Sequence, residues 1–446
     1  ANIHQRGDGN DGRSNKSVPV DGLAAAEVPA PTESVADEVA SLRVLDALSA
    51  TGLRAMRYAL EVEGIESIVA NDMDPVAVDV MRRNFERNGL GEPKVVPNVA
   101  DATSLLCASK PPLGKRFEVI DLDPYGSAAP FFDAAMQAVA EGGMLMVTCT
   151  DLAVLCATYP EACYAKYGAY PVKGKYCHEA ALRIVLGCME GHANRHARHI
   201  VPLVSVHINF YIRVFVRLYT SKAKVQLSPT KMGYIYQCSG CPSFAIQPVA
   251  RMVSRGVGAE AREKVVAGSG PPVPARCEHC GYVHHVAGPM WLAPLQDGGF
   301  VRGLLKRLYD SPDDLVSTRR LIGMLTSILE ELPDVPLFTQ LSDMCSTLHI
   351  SSPPLVSVFS ALMRQSYRVS RSHTDSMAIK TDAPNEKLWD ILRCWSKTVP
   401  VGKKNKGLSE TSPGRKILSK EPEMQADFRP LPQVQQMLSK RDADGV

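Results

Sequence analysis

The sequence predicts an α/β fold with a doubly wound, mostly parallel sheet, a cysteine-bearing insertion and a smaller α+β region after it. Three observations predict it. Short apolar strands alternate with helical segments between Leu42 and Asp151. Four strand ends carry an acid: Asp46, Asp72, Asp101 and Asp123. Two Cys-x-x-Cys pairs, Cys238/Cys241 and Cys277/Cys280, follow further along. Strand–helix alternation implies right-handed crossovers, and the resulting sheets take ligands beyond the carboxyl ends of their strands.

The elements follow in order. Residues 1–41 are rich in Gly, Asn, Ser, Ala, Pro and acids without a period, which predicts a disordered acidic segment. Leu42–Leu48 reads as a buried strand, and "SATG" as a small-residue turn. Leu53, Met56 and Leu60 then repeat with helical spacing up to Glu61. "SIVAND" is the second strand. Pro75–Asn88 is a helix with Pro at a favoured first position. "KVVPNVAD" and "FEVIDLD" are the third and fourth strands, followed by a helix over Phe131–Glu141 and the strand "MLMVTCTD". Two strands over about 200–225 close the domain, which spans 42–231. The cysteine insertion occupies 232–300, a mainly helical region with a strand-like "YRVSRSH" occupies 301–400, and a basic, largely extended tail is expected over 401–446.

At 45% hydrophobic residues the chain can bury sizeable cores. No apolar run approaches the roughly 20 residues that span a membrane, so a soluble protein with no membrane partner is expected. The 12 cysteines are scattered over 446 residues, which favours a reducing compartment over a disulfide framework. Formal net charge is only +3, but residues 361–420 hold 13 Lys/Arg against 5 Asp/Glu. That basic stretch is where a polyanion would be met, with a solvated tail as the plain alternative.

The strand ends indicate the ligand. The first strand-to-helix turn, "ALSATGLRA", has one glycine, Gly52, instead of G-x-G-x-x-G, which counts against a dinucleotide. S-adenosylmethionine fits better, because it has no pyrophosphate. Asp72 lies 20 residues after Gly52, the range of a ribose-binding acid. Asp101 suits the adenine amine with Ala102 beside the ring, and Arg54 suits the cofactor carboxylate. Asp46 completes the acidic edge.

The fourth strand runs into Asp123-Pro124-Tyr125. An exocyclic amine on a base is a poor nucleophile, since its lone pair is delocalised into the ring. A carboxylate and a backbone carbonyl accept its hydrogens and free that lone pair. Proline stiffens the turn that presents the carbonyl, and an aromatic face stacks the extruded base. Asp123 is therefore the expected acceptor and Tyr125 the stacking platform; an ordinary Asp-Pro turn is the competing reading. The paired Cys238/Cys241 and Cys277/Cys280 suit one tetrahedral structural zinc, with His284 and His285 as alternative ligands. The other cysteines, including Cys149, Cys156, Cys163 and Cys177, are expected to be buried thiols.

The segments "VLDALSATGLRAMRYALE", "NDMDPVAV", "VIDLDPYGSAAPFFDAA", "KYGAYPVKGKYCHEAALRIVL", "GPMWLAPL" and "ELPDVPLF" resemble the eukaryotic tRNA (guanine-26-N2)-dimethyltransferase family, Trm1, over roughly 42–430. The resemblance implies a class I (Rossmann-like) methyltransferase over 42–231, a zinc-ribbon-like insertion and a C-terminal tRNA-binding domain. It implies transfer of two methyl groups from S-adenosylmethionine to a tRNA guanosine, in the nucleus or mitochondria. On it, Arg54, Asp72, Asp101 and Ala102 carry the cofactor, and Asp123 and Tyr125 are catalytic. The family also has an upstream segment of the type F-Y-N-P…N-R-D, which residues 1–41 lack. The expectation is an N-terminally truncated chain, with a catalytically inactive tRNA-binding protein as the alternative.

Overall fold

The computed structural model describes residues 41–255, 262–398 and 408–443. The acidic start and the "GKKNKG" cluster lie outside the described residues. The first strands and helices are β1 (Leu42–Asp46), α1 (Leu53–Glu61), β2 (Ile65–Asp72), α2 (Pro75–Arg87), β3 (Val95–Val99), α3 (Ala102–Ala108), β4 (Phe117–Leu122) and α4 (Phe132–Ala138). Next come β5 (Val139–Cys149), α5 (Leu152–Leu155), α6 (Pro160–Tyr167), α7 (Cys177–Arg195), β6 (Arg198–Ile208), β7 (Tyr211–Thr220) and α8 (Lys222–Leu227). Seven strands form one sheet in the order β3-β2-β1-β4-β5-β7-β6. The first five are parallel, and β7 runs antiparallel to both β5 and β6. This is the expected doubly wound sheet, with an antiparallel pair closing one edge.

Local chemistry sets the boundaries. Asp74 caps α2, accepting from Val76 N at 2.9 Å with Pro75 in the first turn. Helix α4 ends at Ala138, three residues before the expected Glu141, and the chain continues directly as β5. The buried Arg198 explains the early stop: its guanidinium takes the carbonyls of Met136 at 2.5 Å, Val139 at 2.7 Å and Ala140 at 2.8 Å. Met136 O is among the last four carbonyls of α4, which the helix itself leaves unpaired, and Val139 and Ala140 begin β5.

The insertion contains β8 (Met232–Cys238), β9 (Phe244–Pro248), the hairpin β10 (Ala250–Arg255) and β11 (Arg262–Ala267), and β12 (His284–Trp291). The C-terminal region adds α9 (Gly298–Asp310), α10 (Thr318–Glu330), β13 (Thr339–Gln340), α11 (Leu341–Leu348), α12 (Leu355–Arg364), β14 (Val369–Ser372), β15 (Asp375–Thr381) and α13 (Asn385–Thr398). Packing crosses the expected domain boundaries. Trp291 of β12, Leu337, Phe338 and Ala378 join the core under the large sheet. The four paired cysteines share a second core with α11, α12 and α13.

One expectation needs correction. The tail is not largely extended over 408–443: it forms α14 (Pro413–Leu418) and α15 (Pro432–Ala443). Ile417 and Val434 are both 0% exposed in the second core, so a few apolar residues at helical positions suffice to dock it. Within the basic stretch 361–420, six of the described basic side chains have acidic partners. Arg364 pairs with Asp427, Arg368 with Asp334 and Asp382, Lys380 with Glu179, Lys387 with Glu423, Arg393 with Asp390, and Lys397 with Glu421. Among the thiols, Cys149 and Cys163 are buried, and burial pushes each up to about 12. Cys156 and Cys177 are only half-buried, because they cap α5 and begin α7. Among the described residues no helix is long and apolar enough to cross a membrane.

Candidate active site

The carboxyl ends of β4 and β5, the start of β7 and one face of α1 from Arg54 to its C-cap Val62 line a cleft of about 610 Å³. Arg54, Tyr58, Asp123, Pro124, Tyr125, Thr148, Tyr211 and Arg213 line it. Their arrangement centres on an acid that sequence reasoning missed. Asp121 is 0% exposed on β4, two residues before Asp123. Its carboxylate accepts from Tyr58 Oη at 2.6 Å, from Arg54 Nη1 at 3.1 Å and from Arg213 Nη2 at 2.9 and 3.0 Å. Arg213 also donates to Thr148 at 2.5 Å. A buried carboxylate with charged and hydroxyl donors on both oxygens is satisfied, and it holds those donors in fixed geometry.

Asp123 stands at the mouth of this arrangement, with its carboxylate paired to the second guanidinium nitrogen of Arg54. The turn after it is fastened twice. Gly126 N donates to Thr150 Oγ1 at 2.7 Å, and Thr150 N returns a bond to Gly126 O at 2.9 Å. Ser127 Oγ donates to Tyr167 Oη at 2.7 Å, which in turn donates to Asp151 at 2.9 Å. Gly126 sits at φ +82, the left-handed region a side chain resists. The Tyr125 side chain is held clear of the protein, at 102% exposure. The sequence-expected Asp123, Pro124 and Tyr125 are therefore brought together at one rigid turn, with an open ring face beside a carboxylate.

The other strand-end residues line the same edge of the sheet. Asp46 is 1% exposed and lies beside Asp121 in the β1–β4 register. Burial first, and then the charge of Asp121, push its carboxyl up to about 7, against the 2.7 Å bond from Ser49 Oγ. Asp72 accepts from Ala50 N and from Asp74 N, both at 3.0 Å, and so shapes the turn around Gly52. Gly52 itself is at φ +80, and a Cβ there would meet Phe85 at 2.6 Å. Its lack of a side chain serves close approach to α2. Asp101 caps α3, accepting from Ser104 N at 2.8 Å; that bond holds its carboxyl below the usual range. Capping and ligand contact are compatible roles at a strand end. Ala102, the next residue, is buried at the start of α3. The missed residues Asp121, Tyr58, Tyr211 and Arg213 leave only faint marks in the sequence: an acid inside the apolar run "VIDLD", Tyr58 four residues after Arg54 on one helix face, and Tyr211 and Arg213 two apart on one strand face.

Cys238, Cys241, Cys277 and Cys280 converge, with every sulfur within 4.8 Å of the others. Cys238 and Cys280 sulfurs lie 3.3 Å apart and Cys241 and Cys277 sulfurs 3.9 Å apart, all buried and none in a disulfide. Four buried thiols at these separations match the donor set of a closed tetrahedral site. His284 pairs with Cys238 across β12–β8 and His285 with Gln237, and neither belongs to the four-sulfur group. The cluster is anchored to α13 by Trp389 Nε1 to Ser243 Oγ at 2.8 Å and by His279 to Glu386 at 2.8 Å.

A sequence profile described as N2,N2-dimethylguanosine tRNA methyltransferase matches residues 15–393. The chain is 50% identical over 388 residues to the mouse tRNA (guanine(26)-N(2))-dimethyltransferase, covering 87% of this chain and 57% of that protein. It is 48% identical over 397 residues to tRNA (guanine(26)-N(2))-dimethyltransferase 1 of Arabidopsis thaliana, covering 89% of this chain and 65% of that one. The chain thus spans about six-tenths of the length of these relatives. Among solved structures it is similar to Trm1 from Pyrococcus horikoshii in complex with S-adenosyl-L-methionine. The two share 31% identity with a TM-score of 0.65, covering 78% of this chain and 87% of that one. The strand order, the Asp123-Pro124-Tyr125 turn and these similarities agree: the chain belongs to the N2,N2-dimethylguanosine tRNA methyltransferase family.

Proposed function

We propose that the chain transfers methyl groups from S-adenosylmethionine to the exocyclic N2 of guanosine-26 in tRNA, giving N2-methyl- and N2,N2-dimethylguanosine. The observation that carries this reading is the fastened Asp123-Pro124-Tyr125 turn, with Asp121 behind it locking the arginines that face the cleft. S-adenosylmethionine, when bound, supplies an electrophilic methyl carbon. The chain's own residues do the rest. Tyr125 offers its ring to the extruded guanine, and Asp123 with the Pro124 carbonyl accepts hydrogens from the guanine amine. The proton lost from N2 leaves toward Asp123. Asp72, Asp101 and Ala102, with Asp46 and Gly52 shaping the turn behind them, would hold the cofactor's ribose and adenine. Arg54 would meet its carboxylate. The yeast relative is named as mitochondrial; we place this chain's action in the nucleus or mitochondria on that similarity.

The test is incubation with tritiated cofactor and unmodified tRNA, followed by digestion and separation of nucleosides. Labelled N2-methyl- and dimethylguanosine are expected. Retained tRNA binding without label would instead make the chain a binding protein without catalysis.

The four-cysteine cluster supports structural zinc. One zinc per chain is expected by elemental analysis, and its removal by a chelator should raise hydrogen exchange across residues 232–300. Because the cluster shares a core with α13, protection around Trp389 should fall as well. A folded chain that carries no metal would overturn the assignment.

A further inference from the structure

A guanine inside a tRNA cannot reach Asp123 without leaving its stack, and the vacated space must be filled or closed. Extrusion costs a few kcal/mol, and proteins offset it by inserting apolar side chains between bases. Exposed apolar residues scattered singly over a surface need no explanation. Phe210 is a different case. It is 83% exposed and immediately precedes Tyr211, which lines the cleft. The fully exposed Tyr125 belongs to the same cleft, contributed by a different strand end. One exposed aromatic ring, Tyr125, thus lines the cleft beside Arg54, Asp123 and Arg213, and a second, Phe210, stands one residue outside its lining.

The backbone carrying Phe210 is stiff. The β6–β7 register continues to the pair Ile208↔Tyr211, so Asn209 and Phe210 are the whole connection. Asn209 adopts φ +49, a conformation asparagine tolerates and a tight turn needs. Below the turn, Tyr211 and Arg213 alternate onto the cleft side, and Arg213 is clamped by Asp121 and Thr148. The tip is therefore joined through one short strand to the network that positions Asp123. A ring presented this way loses little freedom when it enters a base stack.

We infer that Phe210 is the wedge that enters the RNA stack and fills the space left by the target base, while Tyr125 receives the base that has been expelled. This rests on the guanine reading above, and the partner it needs is a structured RNA whose target base is stacked. Phe210 is a positioning residue, since it touches neither the reacting nitrogen nor Asp123.

The test compares wild type, Phe210→Ala and Phe210→Trp on two substrates: unmodified tRNA, and the same tRNA with an abasic nucleotide facing the target guanine. Phe210→Ala should lower kcat/KM on intact tRNA by at least tenfold. It should come within about threefold of wild type on the abasic substrate, where extrusion costs less. Phe210→Trp should stay within about threefold on both, and the melting temperature of Phe210→Ala should not change, because the side chain is exposed. Equal activity of Phe210→Ala and wild type on intact tRNA, or an equal loss on both substrates, would overturn the wedge. A wild-type chain that labels no guanosine in either RNA would overturn the guanine reading, and the wedge with it.

Discussion

Asp123→Asn is expected to lower the turnover of methyl transfer by about 100-fold or more, the low end of what a positioned proton acceptor contributes. Affinity for cofactor and for tRNA should stay within a few fold. The substitution keeps the shape of the side chain and removes its charge. An asparagine can offer one carbonyl oxygen, but its amide hydrogens then face the hydrogens of the guanine amine. The lone pair on N2 stays delocalised, and the departing proton loses its acceptor. The fold should not suffer: the Asp123 side chain is about one-third exposed, and Arg54 keeps its 3.1 Å bond to Asp121. Single-turnover rates alongside equilibrium binding separate the two effects. Unchanged turnover would remove Asp123 from the mechanism, and a loss confined to tRNA affinity would make it a binding residue only.

Why Asp123 was legible from sequence and Asp121 was not follows from where their partners lie. Asp123 is read from its neighbours: it ends an apolar strand, Pro124 and Tyr125 follow, and a helix begins soon after. The same holds for Asp46, Asp72 and Asp101, each beyond or at the end of a strand that alternates with helices. Asp121 gets its meaning from Tyr58, Arg54 and Arg213, which are 63, 67 and 92 residues away. No local pattern reports such a meeting; an acid within an apolar strand only marks that something distant must satisfy it. Gly52 shows a related limit. In sequence it is one glycine in the first turn; only the fold shows that Phe85 from the next helix stands against its Cβ position. The tail misled for a third reason: low apolar content argues for extension, yet Ile417, Phe428 and Val434 are spaced to dock on an existing core. Charge counts had the same weakness, since a basic stretch read in sequence says nothing about the acids that pair with it in space.

Lys380→Met is expected to destabilise the protein by about 3–5 kcal/mol, the cost of leaving a buried charge without its partner. Lys380 is 1% exposed on β15, in the C-terminal region. Its ammonium donates to both oxygens of Glu179 at 2.9 Å and to Val335 O at 3.1 Å, and it lies 3.7 Å from Glu331. Glu179, fully buried at the start of α7, also takes Arg183 Nη2 at 2.8 Å and Leu337 N at 2.7 Å. One carboxylate thus ties α7 to the connection at Leu337, 158 residues later, and to β15 at Lys380, 201 residues later. Burial alone would push the Glu179 carboxyl up, but Lys380 and then Arg183 outweigh it and hold it below the usual range. A depressed carboxyl contributes stability that is present above its unfolded pKa and lost as pH falls through the folded one. Wild type should therefore lose stability on acidification below about pH 4.5, and Lys380→Met should lose less over the same window, because its Glu179 is less depressed. Denaturant midpoints at neutral and acid pH measure both. The double variant Glu179→Gln/Lys380→Met should be less destabilised than the sum of the single changes, since each partner's cost arises from the other's charge. A Lys380→Met change of under 1 kcal/mol would show that solvent or Arg183 replaces the lost ammonium. Buried ion pairs are poor sources of stability compared with apolar packing, so the pair is better understood as a specificity device. It admits one seating of β15 against α7, and with it one placement of the C-terminal region relative to the cleft that holds Asp123.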